Sequence, residues 1–417
     1  MNMGAAINRA VSSTDAVRGL LDMARAAGNA AAVADTMLWA RLDTMRQRLS
    51  ALFAAGQGQL LVENLRASYA QLSPRHQARV LLSPEFCDRG MAWEHAFRRA
   101  SSAKDGVTEL LLLDQLNPLL DIHDLVSREL ALAQVASGFD SPYLQQAQQW
   151  EVYSPAGDIL AAKDDRGDWA IRSLPIIGDC VAIDLESPAA RFHESRSGVL
   201  SQRCLAFTAD ERTALVFKLE QALQMIDQAE PVYGQIVRTF VRRIIVRKSQ
   251  EESETSVHHG SEHAVRHPGS LRLLNVHRQQ VSIEACMESV MHESTHSFLG
   301  AWELANGFFA ANDDSCRVVS PWSGNPIPGS SFIHAAFVYY VCHRMHRKRL
   351  GIADGLNDQV HAYLMERLAV CAAGFLVQQR LSTLFLGRAP LNPELGALLD
   401  EMQADIRSEY RVGAAHE

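Results

Sequence analysis

Ser282-Ile-Glu-Ala-Cys-Met-Glu-Ser-Val-Met-His292-Glu293-Ser294-Thr295-His296-Ser-Phe-Leu299 is the stretch that decides how this chain is read. Its apolar residues Ile283, Met287, Val290, Met291, Phe298 and Leu299 predict a largely buried helix running from about Ser282 to Glu303. Residues four apart on a helix share a face, so His292 and His296 can present both imidazoles to one ion. Neutral imidazole suits zinc and ferrous iron. Glu293, beside the first of them, is placed to accept a proton from metal-bound water or to orient it, which makes it the candidate catalytic residue. Burying two imidazoles and a carboxylate without purpose is expensive, so a metal site is favoured over a pair of hydrogen-bonded core histidines.

The third ligand is less plain. The common peptidase extensions would place Gly at 299 and His at 302, where this chain has Leu299 and Trp302, or a glutamate some turns on, where Glu366 is the next after Glu303. Glu303, Asp313, Asp314 and His334 are the available donors. His334 is the preferred one, because it opens the apolar helix expected over Phe332–His346.

Around this centre the chain has the composition of an ordinary globular protein. It has 417 residues, 47% hydrophobic and 21% charged, so two or three modules and a sizeable core are expected. The formal net charge of −8 disfavours nucleic acid as a partner. No run reaches the roughly 18 apolar residues of a membrane span, and Met1–Asp15 lacks a secretory core. The seven cysteines are single, with no C-x-x-C pair, which favours the cytoplasm over a disulfide framework.

The expected fold is mainly α with a small β portion, an α+β class in which a zincin-like metal helix lies beside a short sheet. Residues 1–149 read as an N-terminal helical region, with helical periods over Ala16–Ala27, Ala31–Ala55, Gln59–Leu72 and Val107–Ala136. Residues 150–207 read as short strands divided by turn signals. Residues 208–417 form the metal-binding catalytic domain. It opens with the Thr208/Glu211 capping box of a helix to Ala229, followed by strands at Phe240–Val246 and Ser270–Val276 with a polar loop, Lys248–His267, between them. After the metal helix come an irregular stretch over Asn306–Ser330 and helices near Phe332–His346, Asp358–Leu384 and Pro393–Tyr410.

Several stretches carry a resemblance. Ala285-Cys-Met-Glu-Ser-Val-Met-His292-Glu-Ser-Thr-His296 resembles the metal helix of the H-E-x-x-H motif proteins associated with bacterial peptide natural-product clusters. Ser320-Pro-Trp-Ser-Gly-Asn-Pro-Ile-Pro328 is similar to that group's Pro-Trp-Arg-x-Asp-Pro-Arg-Pro segment, and Phe332-Ile-His334-Ala-Ala-Phe-Val-Tyr339 to the helix that follows it. Leu72–Pro84 and Leu391–Leu399 resemble shorter segments. The group is understood as iron(II)- and 2-oxoglutarate-dependent peptide β-hydroxylases of ribosomally made precursor peptides. The resemblance therefore implies iron(II) held by His292, His296 and His334, with 2-oxoglutarate and O2 as co-substrates and a precursor peptide as partner. Two family arginines are replaced here, by Ser323 and Ile327, which leaves Arg317 and Arg344 as candidate cations for the 2-oxoglutarate carboxylates.

Two alternatives stand beside this reading: a zinc(II) metallopeptidase with Glu293 as general base, and a peptide-binding protein whose metal site does no chemistry. Other features have plainer expectations. The histidine-rich loop His258, His259, His263, His267 reads as a solvated connection, and the basic run Arg238–Lys248 as a solvated strand face. Ser270–Val276 is suited to act as an edge that pairs with an extended peptide. Trp322 either lines a pocket or plugs the core beneath a turn.

Overall fold

A computed structural model describes residues 14–28, 30–102, 108–146, 150–191, 204–249, 259–263, 269–307, 309, 317–352, 356–388 and 391–411. The chain is mainly α with a small β portion. Among the described residues no helix is long and apolar enough to cross a membrane. Contacts divide it into two compact units, residues 1–38, 217–240 and 279–417 in one, and residues 39–216 and 241–278 in the other.

The second unit holds most of the helical N-terminal half and the larger sheet. Its helices are the latter part of α2 (Ala30–Ala55), then α3 (Leu60–Gln71), α4 (Pro74–Leu81), α5 (Pro84–Ser102), α6 (Thr108–Ala136), α7 (Pro142–Gln146) and α8 (Pro188–Arg191). Strands β1 (Glu151–Tyr153), β2 (Ile159–Lys163) and β3 (Trp169–Ser173) form an antiparallel meander. Strands β4 (Ile176–Ile177), β5 (Val181–Asp184), β6 (Arg243–Arg247), β7 (Gly260–His263) and β8 (Ser270–Leu274) form a sheet in the order β4-β5-β6-β8-β7. Its centre, β5-β6-β8, is parallel, and β5 and β6 are buried along their whole length, as parallel strands are when both faces are covered.

Three expectations change here. β8 is an interior strand, paired with β6 on one side and β7 on the other, so it offers no free edge to a peptide. Part of the expected polar loop is the strand β7, while His258 and His267 lie outside the described residues. The basic run is not a solvated face. Arg243 and Arg247 are buried; Arg243 pairs with Glu85 and Asp184, and Arg247 donates to the carbonyl of Ala189. Buried guanidinium groups need such partners, and the alternation of a half-exposed strand does not reveal them.

The first unit is helical apart from one hairpin. It comprises α1 (Thr14–Arg25), the latter part of α9 (Ala209–Ala229), α10 (Pro231–Phe240), α11 (Ile283–Asn306), α12 (Gly329–Ile352), α13 (Asp358–Ala373) and α14 (Pro393–Arg411). A 3₁₀ turn, Leu381–Phe385, and the hairpin β9 (Arg317–Val319) with β10 (Pro326–Pro328) complete it. α11 packs between α10 and α12, and α12 packs in turn on α13, α14, α1 and the hairpin. α1 is held to α14 by Arg25, which pairs with Glu401 and Asp405.

Trp322 plugs the core of this unit. It stacks on Tyr339 at 4.8 Å, meets Phe375 edge-on and donates its indole N–H to the carbonyl of Cys371 at 3.0 Å. α13 ends with Gly374 as its cap and does not run on to Leu384, and position 374 must be glycine because a Cβ there would lie 2.2 Å from the indole.

Candidate metal centre

α11 begins where Ser282 accepts a hydrogen bond from the Ala285 amide at 3.1 Å and ends at Gly307, whose φ of +99° suits glycine. Ser294 and Thr295 satisfy their buried hydroxyls within the helix, donating to the carbonyls of Val290 and Met291. Between Val290 and Leu299 every residue is buried except His292 and His296. The two imidazoles are thus the only part of this core segment that reaches an open face, which is what a ligand-binding pair requires.

Side-chain donor atoms of His292, Glu293 and His296 lie within 4.8 Å of one another. The His292 and His296 rings stand 5.2 Å apart between centroids, and a Glu293 carboxylate oxygen is 3.9 Å from His292 Nε2. Burial pushes the His292 imidazolium down to about 4, opposed by the charge of Glu288 and assisted by Arg367. That holds the ring neutral, the form that coordinates metal.

His334 comes to the same place from α12. Its Nδ1 is 3.1 Å from His296 Nδ1, and its Nε2 is 3.2 Å from a carboxylate oxygen of Glu303. Glu303 lies two helical turns beyond His296 and faces His334 from α11. When Nε2–H donates to Glu303, the lone pair of a neutral His334 ring is left on Nδ1, toward His296. This is the carboxylate–histidine arrangement that orients metal ligands. Phe309 meets the His334 ring edge-on at 5.8 Å and stacks on Trp302 at 4.6 Å, so an apolar wall backs the third imidazole.

No protein-family model matches the sequence, and a search of the curated proteins finds no relative of it.

His292, Glu293 and His296 are thus gathered in one place, and His334 stands beside His296 with Glu303 behind it. Asp313 and Asp314 lie outside the described residues. Arg317 is on β9, with its Nε–H donating to the Pro326 carbonyl across the hairpin. Arg344 forms an ion pair with Glu409 at 2.7 Å. It sits ten residues beyond His334 on α12, about 15 Å along the helix axis.

One set of supporting residues was missed from sequence. Glu288, one turn before His292 on the same face, is gripped by Arg367 at 2.6 Å and by the Tyr363 hydroxyl at 3.0 Å, both on α13. Burial opposes the charge, but His346, 3.2 Å away, and Arg367 together hold its carboxyl down to about 2. The spacing 288-292-296 was legible as one face; the partners, some 75 to 79 residues away, were not.

Proposed function

We propose that this chain is an iron(II)- and 2-oxoglutarate-dependent hydroxylase acting on a side chain of a ribosomally made precursor peptide. One observation carries the reading: His334, 38 residues after His296, stands with its Nδ1 at 3.1 Å from His296 Nδ1. Neighbouring nitrogens bound at about 2.1 Å are about 3.0 Å apart around an octahedral ion and about 3.4 Å apart around a tetrahedral one. At 3.1 Å the two nitrogens are close enough to reach one ion, and a third histidine at this point is what the resemblance implies.

The donor chemistry suits such a metal: three imidazoles, with carboxylates beside them. His292, His296 and His334 would hold it, and when bound it supplies activation of O2 coupled to oxidation of 2-oxoglutarate to succinate and CO2. Glu303 fixes the tautomer of His334 and resists rotation of its ring. Glu293, buried and acceptor-only when ionised, orients water or the peptide amide at the edge of the site. Phe309 and Trp302 keep water from the His334 side. Glu288 and Arg367 tie α11 to α13, so the spacing of the two motif histidines is preset before any ligand arrives. For the 2-oxoglutarate carboxylates the candidate cations stay Arg317, which donates to the Pro326 carbonyl, and Arg344, which pairs with Glu409.

A zinc metallopeptidase is the second reading, favoured by the position of Glu293 within the same donor group as His292 and His296. Product mass separates the two. A peptide that gains one oxygen, with 2-oxoglutarate required, supports the hydroxylase. A peptide cut in two without 2-oxoglutarate supports the peptidase.

A further inference from the structure

A second cluster of ligating side chains lies in the core of the same unit and shares no residue with the first. Glu288 of α11, His346 of α12 and Cys371 of α13 are all buried, and one donor atom from each lies within 4.8 Å of the others. His346 is 0% exposed, yet neither ring nitrogen has a hydrogen-bond partner. Its Nε2 is 3.2 Å from a Glu288 oxygen but without hydrogen-bond alignment. A neutral imidazole always carries one N–H donor and one lone pair, and each left unpaired in the core costs about 1–3 kcal/mol. Cys342 stands one helical turn before His346 and packs against Cys371. Imidazole, carboxylate and one thiol thus converge from three helices, with the thiol-bearing Cys342 in the same core cluster as Cys371.

We propose that Glu288, His346, Cys371 and Cys342 form a structural zinc(II) site that joins α11, α12 and α13. Thiolate and imidazole donors in a closed, tetrahedral set of four are those zinc prefers. Binding replaces two S–H bonds by two sulfur–metal bonds and releases both protons to solvent; no electron is transferred. The charges then cancel: zinc and Arg367 supply three positive charges, and Glu288 with the two thiolates supplies three negative. A buried site tolerates charge only when it is matched in this way. Glu288 keeps its bonds to Arg367 and Tyr363, which act as the outer partners that orient a ligating carboxylate.

Cobalt(II) titration of the full chain tests this, because of the two ligand clusters among the described residues this one offers sulfur and the other does not. In the His292→Ala/His296→Ala variant, which removes the first site, one equivalent of cobalt should raise a near-ultraviolet thiolate-to-cobalt band, and zinc should bleach it. Cys371→Ser should roughly halve the band and Cys342→Ser/Cys371→Ser should abolish it, while the far-ultraviolet circular dichroism stays native. X-ray absorption on the zinc-loaded His292→Ala/His296→Ala protein needs no cysteine variant, and should show sulfur neighbours at about 2.3 Å. Absence of a thiolate band, its persistence at full intensity in Cys371→Ser, or a zinc shell of nitrogen and oxygen alone would overturn the assignment.

Discussion

Replacing Glu288 by Gln keeps the shape of the side chain and removes the charge on which Arg367 and Tyr363 close. The Glu288 carboxyl is held at about 2 in the folded protein against 4.5 for a free side chain. Each tenfold difference in proton affinity is worth about 1.4 kcal/mol, so the ionised form contributes roughly 3 kcal/mol to folding. The side chain is 10% exposed, so solvent screening takes little from that figure. Its sign follows from the direction of the shift. The folded value is depressed, so the contribution is complete above about 4.5 and fades as pH falls toward 2. Hydrogen exchange on α11 and α13, in metal-free protein with a chelator present, reads this locally. At pH 7 the amides of these helices in Glu288→Gln should be less protected by roughly 3 kcal/mol, and the gap should narrow below pH 4.5. A gap under about 1 kcal/mol at pH 7, or one as wide at pH 3 as at pH 7, would refute the assignment of the Glu288 charge, with His346 and Arg367 around it, as the anchor of the metal helix.

Other outcomes follow from the same contacts. Glu303→Gln should weaken metal affinity by about 10–100-fold in a competition titration, because the His334 ring loses its orienting carboxylate. His343→Ala, about two and a half turns beyond His334 on α12, should leave that affinity unchanged. Gly374→Ala should lower stability in urea by about 1–3 kcal/mol, since Trp322 is fixed by Tyr339 and the Cys371 carbonyl and cannot move aside. Glu293→Gln should retain metal stoichiometry and 2-oxoglutarate turnover, measured as succinate; complete loss of turnover with metal still bound would point to the peptidase.

The helices of this chain are written in their apolar spacing, and α11 and α12 appear close to where that spacing puts them. The helices α4, α5 and α10 were passed over although Pro74, Pro84 and Pro231 stand at their first positions, a start signal independent of periodicity. Short strands fared differently. Nothing in Gly260–His263 distinguishes a strand from a polar loop, and its pairing with β8 arises from tertiary contacts. For the site, His292, Glu293 and His296 were legible because their geometry is local to one helix. His334 was named from its place at the head of an apolar helix and from resemblance, while its hydrogen bond to Glu303 depends on how α11 and α12 cross. The buried partners of Glu288 and Arg243 could not be read at all, since ion pairs over long sequence separations leave no periodic trace.

Anaerobic reconstitution with iron(II), followed by titration with 2-oxoglutarate under visible absorption, tests the central claim most directly. The hydroxylase reading expects a weak charge-transfer band that saturates with 2-oxoglutarate and is lost in both His292→Ala and His334→Ala. No band in the wild-type protein, or a band of full intensity in His334→Ala, would contradict the three-histidine oxygenase centre.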